Sequence, residues 1–198
     1  MPRFLHAMSG KVPRERTSLL FAGSEWEEVR MDPSRETRPD IQAAFPDMRG
    51  VEEASFDAIF TAHSLERLYP HQVMETLGNC LRALKEEGYL VVISADIQEA
   101  CALIAADGLM DTAYEAPAGP VTPLDILYGY RPALAAGRLE YARRCGFTAK
   151  TLMGSMAQSG FGTVWSSRNQ KTFSMAAIAT RQRRSKAFLV ELARQHFG

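Results

Sequence analysis

The residues best placed to do chemistry stand at the ends of short apolar runs. His63 follows FDAIFTA (Phe56–Ala62), with Ser64 next to it and Glu66 three residues on; Asp96 follows YLVVISA; Asp32 follows EVRM; Gly23 and Ser24 follow SLLFA. If these runs are parallel strands, their carboxyl ends are where open α/β sheets bind ligands. A histidine or an aspartate there can take a proton from a hydroxyl, so His63 and Asp96 are the candidate general bases. Asp32 ends a second strand, the position from which an acid holds ribose hydroxyls in α/β cofactor folds. Read singly, each has a plainer meaning: Asp32-Pro33 also makes an ordinary turn, and a histidine ending an apolar strand is more often structural. Other chemistries lack their parts. There is no GxGxxG or Walker loop, no H-E-x-x-H, and no G-x-S-x-G, which leaves phosphate-cradling, metallohydrolase and serine-hydrolase readings unsupported.

The elements that must position these residues follow from periodicity. SLLFA, EVRM, FDAIFTA and YLVVIS have the length and composition of buried strands. Between the last two, Pro70 opens a helix with Val73, Leu77, Leu81 and Leu84 on one face, and Gly88 is expected to stop it. Strand, helix and strand in some 40 residues define a βαβ unit and therefore a parallel pair. A helix is expected from Ile97 to Ala106. Residues 108–147, rich in Pro and Gly, are expected to form a lid, with Tyr128 and Tyr130 shaping a pocket. Thr148 caps a further helix, residues 163–180 form a hairpin, and Ser185 opens an amphipathic tail with Phe188, Leu189, Leu192 and Phe197 on one face. The expected fold is α/β: a mostly parallel, doubly wound sheet with an antiparallel C-terminal hairpin at its edge. Its parts would be an N-terminal tail (1–16), a domain (17–180) containing the lid, and a C-terminal helix (181–198).

At 198 residues the chain has the size of one domain, and 46% hydrophobic against 23% charged residues excludes wholesale disorder. The zero net charge is uneven: residues 1–16 carry +3 and residues 181–198 carry +4, leaving −7 on the body. An acidic body disfavours nucleic acid as a partner. No apolar run reaches the ~18 residues a membrane span needs, and the first residues lack the apolar core of a signal peptide. Cys80, Cys101 and Cys145 are odd in number and widely spaced, which suits a reducing cytoplasm.

The stretch FDAIFTAHSLERLYPHQVMETLGNCLRALKEEGYLVVISAD resembles the class I S-adenosylmethionine-dependent methyltransferases, whose strand reads S/F-D-x-I/V-x-x-S-H-x-L-E-H-L and is followed by R-V-L-K-P-G-G and P-D. Ala62 stands for the Ser, Arg67 for the second His, Glu86-Glu87 for the Pro-Gly and Ala95 for the Pro. The resemblance runs over 17–180 and implies S-adenosylmethionine as cofactor and methyl transfer to a small-molecule or glycan-type acceptor. It also assigns residues: Ala22, Gly23 and Ser24 beside the methionine part, Asp32 on the ribose, Asp47 and the Met48 amide on the adenine. Ala62, His63 and Ser64 would line the floor near the methyl group. The family's glycine-rich loop and first helix have no counterpart in the few residues between Leu20 and Asp32. That departure supports an alternative, a non-catalytic scaffold of the same fold, with the amphipathic tail offered to a second copy in a homodimer.

Overall fold

The computed structural model describes residues 1–198. A six-stranded sheet runs in the order β2-β1-β3-β4-β8-β7, with strands β1 (Arg3–Ala7), β2 (Glu27–Met31), β3 (Phe56–Ala62), β4 (Leu84–Ala95), β7 (Thr163–Asn169) and β8 (Ser174–Thr180). The first four are parallel, and β8 pairs antiparallel with β4 and with the edge strand β7. This is the expected α/β architecture, hairpin included. Two short strands, β5 (Tyr114–Ala116) and β6 (Gly119–Val121), form a separate ribbon.

Two expectations about the first strand are corrected. Arg3–Ala7, expected in a tail, is a central strand, and Leu19–Ala22, expected as a strand, is a short helix, α1. Ser18 caps that helix by accepting the Phe21 N–H, and Phe21 stacks on Phe4 in the apolar layer of one sheet face. A short apolar run does not by itself distinguish strand from helix. The β1 strand is legible only in three dimensions, because His6 is buried by donating to Glu28 of β2 at 2.6 Å.

Helix α2 (Pro70–Ala83) sets Val73, Leu77 and Cys80 in the core of the opposite face, with α6 (Ala149–Gln158) beside it. It ends at Ala83 and not at Gly88, because Leu84 already pairs with Phe56. Gly88 instead lies where β4 is displaced from β3: a Cβ there would come 2.9 Å from the Lys85 carbonyl oxygen and 3.2 Å from that of Asp57. Helix α3 (Ile97–Ala105) follows β4, and the segment expected as a lid contains α4 (Pro123–Tyr128) and α5 (Arg131–Ala135). Val121 and Ile126 pack with Ala95 and Ala100, so this segment sits at the carboxyl end of β4.

The tail helix α7 (Lys186–Phe197) lays Leu189, Leu192, Ala193 and His196 against its own chain. His196 bridges the Ser18 hydroxyl (2.8 Å) and the Tyr89 hydroxyl (3.2 Å) within an aromatic cluster, and burial lowers its pKa to about 4. Of the tail's apolar residues, Leu189 and Leu192 are thus buried within the chain, while Phe188 and Val190 are exposed.

Candidate active site at the switch point

The strand order reverses between β1 and β3: the chain leaves β1 for β2 on one side, then returns to β3 on the other. A crevice opens at such a point beyond the carboxyl ends of the strands. On the β1 side stand Met8, Ser9 and Gly10, and on the β3 side stands His63. Met8 and His63 both take left-handed backbone, at φ 56° and 52°. Such strain in non-glycine residues is costly and concentrates at functional sites.

The loop after β1 is tied to the end of β2. The Asp32 carboxylate is buried and accepts the Gly10 N–H at 2.8 Å on one oxygen and the Ser34 N–H at 2.9 Å on the other. Gly10 itself has φ 55°, and nothing lies within 4 Å of where its Cβ would be. Ser9 is 1% exposed, yet its hydroxyl has no hydrogen-bond partner. A buried hydroxyl without a partner beside a left-handed glycine is what a loop that closes on a polar ligand would present. The glycine-containing turn beside Asp32 is thus Ser9-Gly10, after β1, and not the residues between Leu20 and Asp32. One signal could have located it: Gly10 precedes Asp32 by the ~20 residues that separate glycine turn and acid in cofactor-binding βαβ units.

Ala22, Gly23 and Ser24 do not join this site. They lead into Glu27, which pairs with Arg3 at the amino end of the sheet, opposite to Asp32 and His63. Asp47 is exposed and bonds locally to the Arg49 amide and guanidinium. Met48 is fully buried in the core, and its amide donates to the Ala44 carbonyl.

On the β3 side the organising residue is Glu66, only 1% exposed. One carboxylate oxygen accepts His63 Nδ1–H (3.1 Å) and the Ala95 N–H (3.2 Å), and the other accepts the Ser94 hydroxyl (3.2 Å). Arg143 approaches to 4.0 Å. Burial alone would raise its pKa, but His63 and Arg143 outweigh that and hold it at about 2, so Glu66 is a carboxylate at neutral pH. An anionic acceptor at Nδ1 fixes the histidine tautomer and leaves Nε2 with its lone pair. The His63 side chain is 42% exposed, as a proton acceptor must be. Ala62 and Ser64 flank it; the buried Ser64 hydroxyl donates to the Ala62 carbonyl. The Glu66 carbonyl also accepts the Arg144 (2.8 Å) and Cys145 (3.1 Å) amides, which anchors the end of the 108–147 segment here.

Asp96 is corrected from candidate base to structural residue. It is buried, caps α3 by accepting the Gln98 N–H, and gives its other oxygen to the Arg168 guanidinium. Two surface grooves are present: one of about 400 Å³ between α2, α6 and the Cys145–Phe147 segment, and one of about 270 Å³ between α6, β7 and α7.

This sheet order, with a switch-point site and an antiparallel hairpin, is the fold of the class I S-adenosylmethionine-dependent methyltransferases. Residues 24–92 match the family described as methyltransferase domain. Among solved structures, a Methanosarcina mazei S-adenosylmethionine-dependent methyltransferase superposes with TM-score 0.60 at 15% identity, over 92% of this chain and 93% of that one. One from Thermotoga maritima gives 0.57 at 14% identity, over 92% and 83%. The Burkholderia thailandensis 1,6-didemethyltoxoflavin-N1-methyltransferase, solved with 1,6-didemethyltoxoflavin and S-adenosylhomocysteine, gives 0.54 at 13% identity, over 91% and 71%. No curated protein matches the sequence. No helix is long and apolar enough to cross a membrane.

Proposed function

We propose that this chain transfers the methyl group of S-adenosylmethionine to an oxygen or nitrogen of a small-molecule acceptor, glycan-type acceptors included. The observation that carries the reading is the pairing, across one switch point, of the Ser9-Gly10 loop tied to Asp32 with a histidine held by a buried carboxylate. The bound cofactor would supply an activated sulfonium methyl, so the protein's work is positioning and proton removal. Ser9, Gly10 and Asp32 are the residues to hold it, with Asp32 toward the ribose hydroxyls. Asp47 remains the candidate for the adenine amino group. His63 Nε2 takes the proton of the acceptor as it is methylated, and Glu66 keeps the ring oriented and stabilises the imidazolium. Three unpaired cysteines accord with a reducing cytoplasm.

Calorimetry with S-adenosylmethionine and S-adenosylhomocysteine tests the reading. Loss of one charge-assisted hydrogen bond costs about 1.5–3 kcal/mol, so Asp32→Ala is expected to weaken binding by ~10–100-fold. Absence of binding by the wild-type protein at millimolar cofactor would overturn it in favour of the non-catalytic scaffold. One observation favours that second reading: the Met48 amide is already bonded to Ala44.

A further inference from the structure

Next to Glu66, two guanidinium groups share one aromatic ring. Arg67 lies 4.6 Å and Arg138 4.9 Å from the centroid of Tyr141, and neither forms an ion pair or a side-chain hydrogen bond within the protein. Their setting is basic: Arg144 donates to the Arg67 carbonyl and lies over Tyr69, and Arg143 is near enough to depress the Arg67 pKa further, beyond the effect of burial. Glu140 and Glu66 are the acids acting on Arg67, and the Glu66 carboxylate is already engaged by His63, Ala95 and Ser94. Arg67 is partly buried, and a guanidinium withdrawn from water needs an anionic partner. Planar, forked donors suit carboxylate and phosphate oxygens, and the ring beneath them restricts their rotamers. Such a cationic pair is out of character for a body that carries −7 and in which Arg131 and Arg168 are ion-paired.

We infer that Arg67 and Arg138, stacked on Tyr141, form an anion-recognising subsite beside His63, and that the methyl acceptor carries a phosphate or a carboxylate group. The substrate assignment rests on the methyltransferase reading; the anion site itself does not require the cofactor.

The test is an NMR titration of the free protein with inorganic phosphate and, separately, with acetate, at ionic strength held constant with chloride. The Nε–Hε signals are assigned through Arg67→Gln and Arg138→Gln. The exposed Arg38 and the Arg183 side chain, which have no acid partner, serve as internal controls. The expected result is a saturable shift of the Arg67 and Arg138 signals, at least five-fold tighter than any change at the controls. In Arg138→Gln, an exposed substitution that leaves the fold intact, the Arg67 response should weaken at least three-fold. A stronger response to phosphate assigns a phosphorylated acceptor, and a stronger response to acetate a carboxylate. Shifts that track the controls for both anions, or that persist unchanged in both variants, would overturn the subsite. Cofactor calorimetry on the same sample reports on the methyltransferase reading separately: anion binding without cofactor binding would remove the substrate assignment and leave the site.

Discussion

Glu66→Gln is the substitution that most directly probes the site's construction. Glu66 is ionised in the folded protein down to a pKa of about 2, against 4.5 for an unperturbed glutamate. That difference corresponds to about 3 kcal/mol of stabilisation when the carboxylate is charged in both folded and unfolded states. Because the folded pKa is the lower one, this contribution is complete above about pH 5 and disappears as pH falls toward 2. The substituted glutamine side chain can keep one oxygen for the Ala95 N–H and His63, but it carries no charge for His63 and Arg143, and its amide stands where the other oxygen accepts from Ser94. Urea unfolding at pH 7 should therefore show the variant less stable by about 3 kcal/mol, with the gap narrowing to less than half of that at pH 3. Long-range ¹H–¹⁵N spectra should show neutral His63 as the Nδ1–H tautomer in the wild type and a mixture favouring Nε2–H in the variant. An equal stability gap at both pH values, or an unchanged tautomer, would refute the assignment of Glu66 as the charged residue that orients His63.

His196 should create a second, milder acid dependence. Its pKa is lowered to about 4 by burial, so the unfolded chain binds the extra proton first and stability falls between about pH 6.5 and 4; unfolding midpoints of His196→Gln should lack that slope. Asp96→Ala removes both a helix cap and the partner of Arg168, and is expected to cost about 3 kcal/mol in chemical denaturation while leaving cofactor affinity in calorimetry unchanged. Gly10→Ala places a Cβ on left-handed backbone in open space, so a loss of about 1–2 kcal/mol should appear as a lower midpoint without loss of fold. Deleting residues 185–198 uncovers Phe21, Tyr89 and Ile178, and the truncated chain should expose apolar surface to a hydrophobic dye.

Much of the fold was legible wherever a signal is local. The FDAIFTA strand, the start of a helix at Pro70, the Thr148 cap and the 163–180 hairpin each depend on residues a few positions apart, and each forms as read. Asp32 and His63 were legible as strand-end residues for the same reason, although their partners were not. Asp32 meets Gly10 of a segment that looks like a charged tail, and Glu66 meets Ser94, Ala95 and Arg143, residues 28, 29 and 77 positions away.

The amino-acid sequence by itself determined the class of fold, because alternation, caps and a βαβ unit restrict the chain to a mostly parallel sheet with a hairpin edge. Tertiary structure alone decided which strand comes first. RFLHA holds a histidine and an arginine in the N-terminal segment, and it becomes a core strand only when β2 and β3 pair on either side and Glu28 accepts a hydrogen bond from His6. It alone also decided which acids are free for chemistry. Asp96 and Glu66 look alike in one dimension, but Arg168 and a helix cap consume the first, whereas the second holds a half-exposed histidine at the switch point. The difference is one of electrostatics between distant segments, and only the folded chain brings those segments together.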